Sequence, residues 1–182
     1  MIHQYKIIGL DVDEVLADLH GPWTEWIRET LAPDFPGFLS WDEAEKRGIE
    51  GWRDFVSPEA YLEGAIEPFP EAYPAVQRLR EAGAEIAFVT HCINSTAKAK
   101  LEWLKGFGLY EPGDAFLPGD DKSVHEIDLL VDDGPKYVLA SPCPAIMVTR
   151  LHNEDVPWGW RAEDVAHAVD QIINGDKYAY TY

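Results

Sequence analysis

Residues 7–18 read IIGLDVDEVLAD: an apolar run stops at Asp11, and Asp13, Glu14 and Asp18 follow close behind. Carboxylates spaced this closely repel one another and lose solvation when partly buried, so their place at the end of a core strand calls for either a solvated turn or a cation. Residues 5–10, YKIIGL, predict a short buried strand that ends at Asp11.

Outward from this stretch, Gly21 and Pro22 mark a helix start, and Trp23, Trp26, Ile27 and Leu31 recur at helical spacing. Asp18, just ahead of that helix, reads as a cap or a partner of its dipole. From residue 32 to about residue 71 the pattern loosens, with Pro33, Pro36, Pro58, Pro68 and Pro70 between short helical pieces. A segment this long between two core elements reads as an inserted cap rather than a bare loop. Regularity returns with a helix carrying Ala72, Val76 and Leu79 and closed by Gly83, then a strand over residues 85–90, EIAFVT. Asn94 or Ser95 can cap a helix carrying Ala97, Leu101 and Leu104. Short apolar strands follow at residues 115–118, 128–131 and 145–148, and a closing helix at residues 162–175. Strands alternating with helices predict an α/β fold, a doubly wound and mostly parallel sheet, with a small helical cap inserted after the first strand. The core is expected over residues 1–18 and 72–182 and the cap over residues 19–71.

The formal net charge is −18, with 15 basic residues against 33 acidic ones. That balance excludes extended nucleic acid as a partner, because such binding draws on Lys and Arg to neutralise phosphates. A small phosphate ester remains compatible, since a divalent ion and one or two local cations reverse the field inside a single pocket. No apolar stretch is long enough to span a bilayer, and the amino terminus lacks a basic region followed by an apolar leader. Two cysteines, Cys92 and Cys143, are too few for a disulfide framework and read as ordinary partly buried thiols, so a cytoplasmic setting is expected.

Three strands end in residues ill suited to packing: Asp11 and Asp13 after the first, Thr90 after the second, and Asp132 with Asp133 after DLLV. In sheets of this kind ligands bind beyond the carboxyl ends of the strands, so the three ends are expected to share one crevice. Asp11, Asp13, Asp132 and Asp133 offer the hard oxygen ligands that Mg²⁺ takes while it keeps waters and a substrate phosphate. Thr90 brings a hydroxyl for phosphate oxygens, and Lys122 a mobile cation that reaches the same place. The set suits phosphoryl transfer, which asks for positioning, charge neutralisation and an activated nucleophile.

With these residues in order, DVDEV at 11–15, Thr90 closing an apolar strand, Lys122, and LLVDDGP at 129–135, the chain resembles the haloacid dehalogenase-like phosphatase superfamily. Within it, DVDEVLAD followed by a helical segment, then DKSVHEIDLLVDDGP, then a strand and His152-Asn153, is similar to the 5'(3')-deoxyribonucleotidase family of small Mg²⁺-dependent enzymes. The resemblance spans the core elements and is poor in the cap. It implies that Asp11 attacks phosphorus to form an aspartyl-phosphate and that Asp13 protonates the leaving alcohol and then activates water. It also implies that Thr90 and Lys122 hold phosphate oxygens, and that Asp11, the backbone carbonyl of Asp13 and Asp133 hold Mg²⁺, with Asp132 a further ligand or an outer support. The substrate it implies is a nucleoside monophosphate, with a sugar phosphate or other small phosphorylated metabolite as the alternative and an inactive nucleotide-binding relative as a third reading.

Two positions depart from the family. Glu14 stands where glycine is usual and is predicted to point away from the phosphate, and Gly134 replaces an arginine after the acidic pair. A lone DVDEV reads as a solvated turn; the other three motifs turn the reading towards metal and phosphate chemistry. His91, next to Thr90, either touches the phosphate or sits in the turn. Trp23 and Trp26 read as contacts between cap and body, while Trp52, Phe55 and Tyr61 are the candidates for stacking on a nucleobase. His152 and Asn153 are expected in a loop at the rim, and His125 is expected to be structural. Sequence leaves the oligomeric state open, a homodimer included.

Overall fold

The computed structural model describes residues 5–122 and 126–175; His125 lies outside them. The first half of the chain runs β1 (Ile7–Leu10), β2 (Ala17–Asp18), α1 (His20–Thr30), α2 (Glu43–Lys46), α3 (Pro58–Leu62) and β3 (Glu67–Pro68). It continues through α4 (Ala72–Glu81), β4 (Glu85–Thr90), α5 (Ala97–Gly106), β5 (Ala115–Pro118) and β6 (Leu129–Asp132). It closes with α6 (Pro135–Ala140), β7 (Ala145–Val148), a 3₁₀ turn (Leu151–Asn153), β8 (Arg161–Ala162) and α7 (Val165–Asn174).

Six strands form one sheet in the order β5-β4-β1-β6-β7-β8, and every pair in it is parallel. The chain winds outward from β1 to β5, then crosses to the other side of β1 to lay down β6, β7 and β8. The switch in direction falls beside β1, which is where a crevice opens at the carboxyl ends of such sheets. Alternation along the strands covers both faces. Leu129, Val131, Ile146 and Val148 belong to the large core cluster, while Leu130 and Met147 pack with Val138 of α6 in a small one. The expected α/β sheet is therefore present.

Local chemistry sets several boundaries. Asp164 caps α7 by accepting from His167 N at 2.8 Å, and Gly175 ends that helix at φ +69°. Ser57 caps α3, with Pro58 in its first turn. Asp18 accepts from Gly21 N at 2.9 Å and so serves the start of α1, as expected. Asp128 was expected inside a strand; instead its Oδ2 accepts from both Lys6 N and Ile7 N at 2.8 Å and β6 starts one residue later. The cap expected of Asn94 or Ser95 on α5 is also absent. Asn94 donates its side-chain amide to Val56 O at 2.8 Å, tying the turn after β4 to the segment ahead of α3.

The chain leaves the sheet through β2 and returns through β3, which pair antiparallel. The residues between them do not form a separate core: Phe35, Phe38, Trp52, Val56, Tyr61 and Ile66 pack in the same cluster as β1 and β4. Trp23 holds this region in place, with its Nε1 donating to Trp52 O at 2.5 Å and its ring stacked on Trp52 at 5.3 Å. Trp103 of α5 donates to Ile66 O at 2.8 Å from a buried position. Trp103→Phe strands that carbonyl and thins the core, and is expected to cost about 2–3 kcal/mol. Urea denaturation followed by circular dichroism measures it.

Candidate active site

The loop after β1 is closed by its own backbone. Leu16 N and Ala17 N both donate to Val12 O, at 2.9 and 2.8 Å, and Glu14 N donates to Ala17 O at 2.8 Å. Glu14 takes φ +58°, a left-handed conformation that costs a non-glycine residue about 1–2 kcal/mol. Glycine would suit this backbone, and the compensation for glutamate lies in its side chain. Oε1 accepts from His20 N at 2.7 Å and Leu19 N at 3.1 Å, at the start of α1, and Oε2 lies 3.5 Å from His20 Nδ1. Arg150 Nε donates to Glu14 O at 2.7 Å. Burial alone would raise the Glu14 carboxyl, but His20 and Arg150 outweigh it and hold the group below its ordinary range. Glu14 thus turns away from the acids on either side of it, as predicted.

Those acids are gathered by the sheet. Asp11 N donates to Val131 O at 2.9 Å, which sets Asp11 beside the end of β6. Asp11, Asp132 and Asp133 are buried and bring carboxylate oxygens within 4.8 Å of one another. Asp11 Oδ1 accepts from Val12 N at 2.7 Å, and Lys122 Nζ lies 2.8 Å from Asp11 Oδ2 and 2.6 Å from Asp132 Oδ2. Asp132 Oδ1 accepts from Gly134 N at 2.7 Å. Burial pushes the Asp11 carboxyl well up, Lys122 opposes this, and the neighbouring aspartates add to it. Burial likewise raises Asp132, to about 6, against the pull of Lys122. Burial works against the Lys122 ammonium too, but Asp11 and Asp132 more than offset it and keep it charged.

Asp133 differs from its neighbours. Both its side-chain oxygens are buried and accept no hydrogen bond. His152 Nε2 stands 2.9 Å from Oδ2, off the hydrogen-bonding direction, and Asn153 Nδ2 donates to the Asp133 carbonyl at 2.7 Å. His152 and Asn153 are therefore packed behind the acidic pair instead of forming a rim. A buried carboxylate without donors is costly, and three hard oxygen donors this close match a small divalent cation.

Asp13 is held separately. Tyr61 OH donates to its Oδ1 at 2.7 Å, and Lys100 Nζ lies 2.5 Å from its Oδ2. Lys100 also donates to His91 O at 2.6 Å and Thr90 Oγ1 at 3.1 Å. Among the acids, Asp11, Asp13 and Asp133 line a cavity of about 310 Å³ together with Lys100, His91 and Lys136. Trp41, Trp52 and Arg53 line it from the inserted segment, with the Arg53 guanidinium 4.6 Å from the Trp52 ring centre.

Of the residues expected at the phosphate, His91 lines this cavity, whereas Thr90 and Lys122 stand behind Lys100 and Asp11. Burial lowers the His91 imidazole, with Lys100, Lys122 and Lys136 adding to the effect and Asp120, at 3.1 Å from Nδ1, opposing it. Of the three expected stacking aromatics, Trp52 lines the cavity and Phe55 and Tyr61 do not. Phe55 packs on Trp26 at 6.0 Å, and Tyr61 is spent on Asp13. The sequence pattern does not single out Lys100, Trp41 or Arg53 as site residues. Lys100 had a signal, a lysine three and four residues ahead of Trp103 and Leu104 on the buried face of α5. Gly134 has a spatial reason: a Cβ there would come within 2.8 Å of Tyr137 Cδ2 and 3.1 Å of Asp132 Oδ1.

The parallel sheet, with acids, a threonine and a lysine at its carboxyl edge, has the fold of haloacid dehalogenase-like proteins. A solved HAD phosphatase from Thermococcus onnurineus shares the fold with a TM-score of 0.57 at 14% identity, covering 96% of this chain and all of that one. The family model for 5' nucleotidase, deoxy (pyrimidine), cytosolic type C protein matches residues 5–178, and the chain belongs to that family of nucleotidase-type phosphatases. The 5'(3')-deoxyribonucleotidases of Bacillus subtilis (strain 168) and Bacillus phage SPbeta are each 24% identical over 162 residues, covering 82% of this chain and 88% of the relative.

Glu14 sets the prediction for the loop. Glu14→Ala keeps the left-handed strain and loses the bonds to α1, at a cost of about 2–3 kcal/mol, while Glu14→Gly relieves the strain and costs about 1 kcal/mol less. Chemical denaturation of the two variants beside the parent checks the order.

Proposed function

We propose that the chain is a Mg²⁺-dependent phosphomonoesterase that hydrolyses nucleoside monophosphates, deoxyribonucleotides first among them, through an aspartyl-phosphate. The observation that carries this reading is the buried Asp11–Asp132–Asp133 group, in which neither Asp133 oxygen accepts a hydrogen bond, with Asp11 and Asp133 lining a cavity that indoles also line. The names of the family and of the two Bacillus relatives support the nucleotide as substrate. Both cysteines are free, and among the described residues no helix is long and apolar enough to cross a membrane. These facts support a cytoplasmic setting.

In the first step an Asp11 oxygen bonds to phosphorus, the bond from phosphorus to the sugar oxygen breaks, and Asp13 gives that oxygen its proton. In the second step Asp13 takes a proton from water as the water oxygen bonds to phosphorus and the Asp11–phosphorus bond breaks, releasing inorganic phosphate. Asp11, Asp133 and the backbone carbonyl of Asp13 would hold the metal ion, which when bound neutralises phosphate oxygens and favours ionised Asp11. Asp132, with both oxygens already bonded to Lys122 and Gly134, acts as an outer support. Lys100 and His91, which face the cavity, take the phosphate oxygens, with Thr90 and Lys122 behind them. Residues 19–71 serve as a cap that selects the substrate on the α/β core of residues 1–18 and 72–182, with Trp52 and Trp41 meeting the base.

Phosphate release from a panel of nucleoside monophosphates and sugar phosphates tests the reading, with Asp11→Asn beside the parent. Hydrolysis of nucleotides, loss of at least about 10³-fold in Asp11→Asn, and loss with chelator restored by Mg²⁺ are expected. Release from sugar phosphates alone removes the nucleotide, and an unaffected Asp11→Asn removes the covalent route. The split between the acids is checked by Mg²⁺ titration: Asp133→Asn is expected to raise the Mg²⁺ requirement about 100-fold and Asp132→Asn about 10-fold.

A further inference from the structure

Tyr61 lies on α3, in the inserted segment, and is 2% exposed. Its hydroxyl meets Asp13 Oδ1, and the Lys100 ammonium that holds Oδ2 stands 5.5 Å from the centre of the Tyr61 ring. Lys100 lines the cavity and Tyr61 does not. Oδ1 faces Tyr61 of α3, which does not line the cavity, and Oδ2 faces Lys100, which lines it together with Asp13. A carboxylate with one partner keeps a broad torsion about its last bond, whereas partners on both oxygens fix its plane. A buried phenol needs an acceptor, but here the acceptor lies 48 residues away in the sequence, in the loop that carries the proposed chemistry.

We propose that Tyr61 is a positioning residue for proton transfer: its hydroxyl fixes Oδ1 of Asp13 so that the transferred proton travels on Oδ2, aimed into the cavity. This rests on the proposed role of Asp13 as acid and base. As substrate enters, Lys100 is drawn from Oδ2 to a phosphate oxygen and the leaving sugar oxygen takes its place there, so both oxygens of Asp13 keep a partner while Oδ2 carries the proton taken from water in the preceding turnover. Tyr61 has no path to the phosphate and stays in place. In the first step the Oδ2 proton passes to the sugar oxygen as its bond to phosphorus breaks and the Asp11–phosphorus bond forms. In the second, Oδ2 accepts a proton from the attacking water, and the Asp11–phosphorus bond breaks.

Help from a proton donor matters in proportion to the basicity of the leaving oxygen. A sugar alkoxide needs the proton; p-nitrophenolate leaves without it. The test is kcat/KM for a nucleoside monophosphate and a series of aryl phosphates of graded leaving-group basicity, for the parent and Tyr61→Phe, with circular dichroism as the check on folding. Tyr61→Phe is expected to lose about 30-fold on the nucleotide and less than about 3-fold on p-nitrophenyl phosphate, steepening the dependence on the leaving group. Equal loss across the series in a folded variant, or no loss, overturns the proposal and leaves the nucleotidase reading standing. A parent enzyme whose nucleotide hydrolysis survives Asp11→Asn overturns that reading instead. Should Tyr61→Phe unfold, 4-aminophenylalanine in place of Tyr61 keeps the ring and a weaker donor. Selective loss on the nucleotide is then expected, and its absence overturns the proposal.

Discussion

Asp11, Asp132 and Asp133 bring their oxygens within 4.8 Å of one another in a buried space, and the carboxyl edge of the sheet is arranged around the repulsion among them. Two like charges about 4 Å apart near a protein surface repel by about 4 kcal/mol. The parallel register that pairs Leu10 with Val131 makes the proximity unavoidable, since Asp11 and Asp132 are the next residues on their strands. Lys122 bridges two of the acids and the Gly134 amide serves one, so three carboxylates face one ammonium and two negative charges are left over. Burial resolves the excess in part by raising Asp11 and Asp132. A divalent cation would resolve the rest, and Asp133, with His152 Nε2 2.9 Å from Oδ2, accepts no hydrogen bond on either oxygen.

Much of this was legible in the sequence because it depends on local patterns. Short apolar runs ending in acids announce strands whose ends cannot be packed, and Asp11, Thr90 and Asp132 were found by that mismatch. What escaped depends on partners far along the chain. Lys100 is on the buried face of α5 only because Asp13, Thr90 and His91 await it, and periodicity favoured its neighbour Leu101, which is half-buried. Tyr61 offers the sequence an aromatic ring, and nothing local shows that its hydroxyl is the part in use. Asn94 looked like a cap because caps are its commonest service, whereas here its amide satisfies a carbonyl of the inserted segment. The two-residue strands β2, β3 and β8 are too short to carry any period of their own.

The two departures from the family pattern have local explanations. Glu14 accepts an unfavourable backbone conformation and in return caps α1 and meets Arg150, so a residue beside the proposed nucleophile stabilises the entry to the inserted segment without entering the cavity. Gly134 leaves room for Tyr137, whose ring lies 4.2 Å from the Lys122 ammonium. An arginine there would compete with that ring for space. Lys136, which lines the cavity beside Gly134, keeps positive charge on this side of it.

Glu14, Tyr61 and Asn94 share one consequence. Each ties the loops that carry the acids and Thr90 to residues of the inserted segment: Glu14 to the start of α1, Tyr61 from α3 to Asp13, and Asn94 to the carbonyl of Val56. Substrate recognition by Trp41 and Trp52 and proton transfer by Asp13, if they occur as proposed, would then be coupled through rigid hydrogen bonds instead of being placed independently. A displacement of α3 by even 1 Å would lengthen the bond from Tyr61 to Asp13 beyond hydrogen-bonding range. The cost of such a shift falls on the chemistry as well as on binding, because effective acid catalysis depends on holding the donor in line with the leaving oxygen. On the proposed roles, the segment that fits the substrate is in this way also the segment that orients the acid.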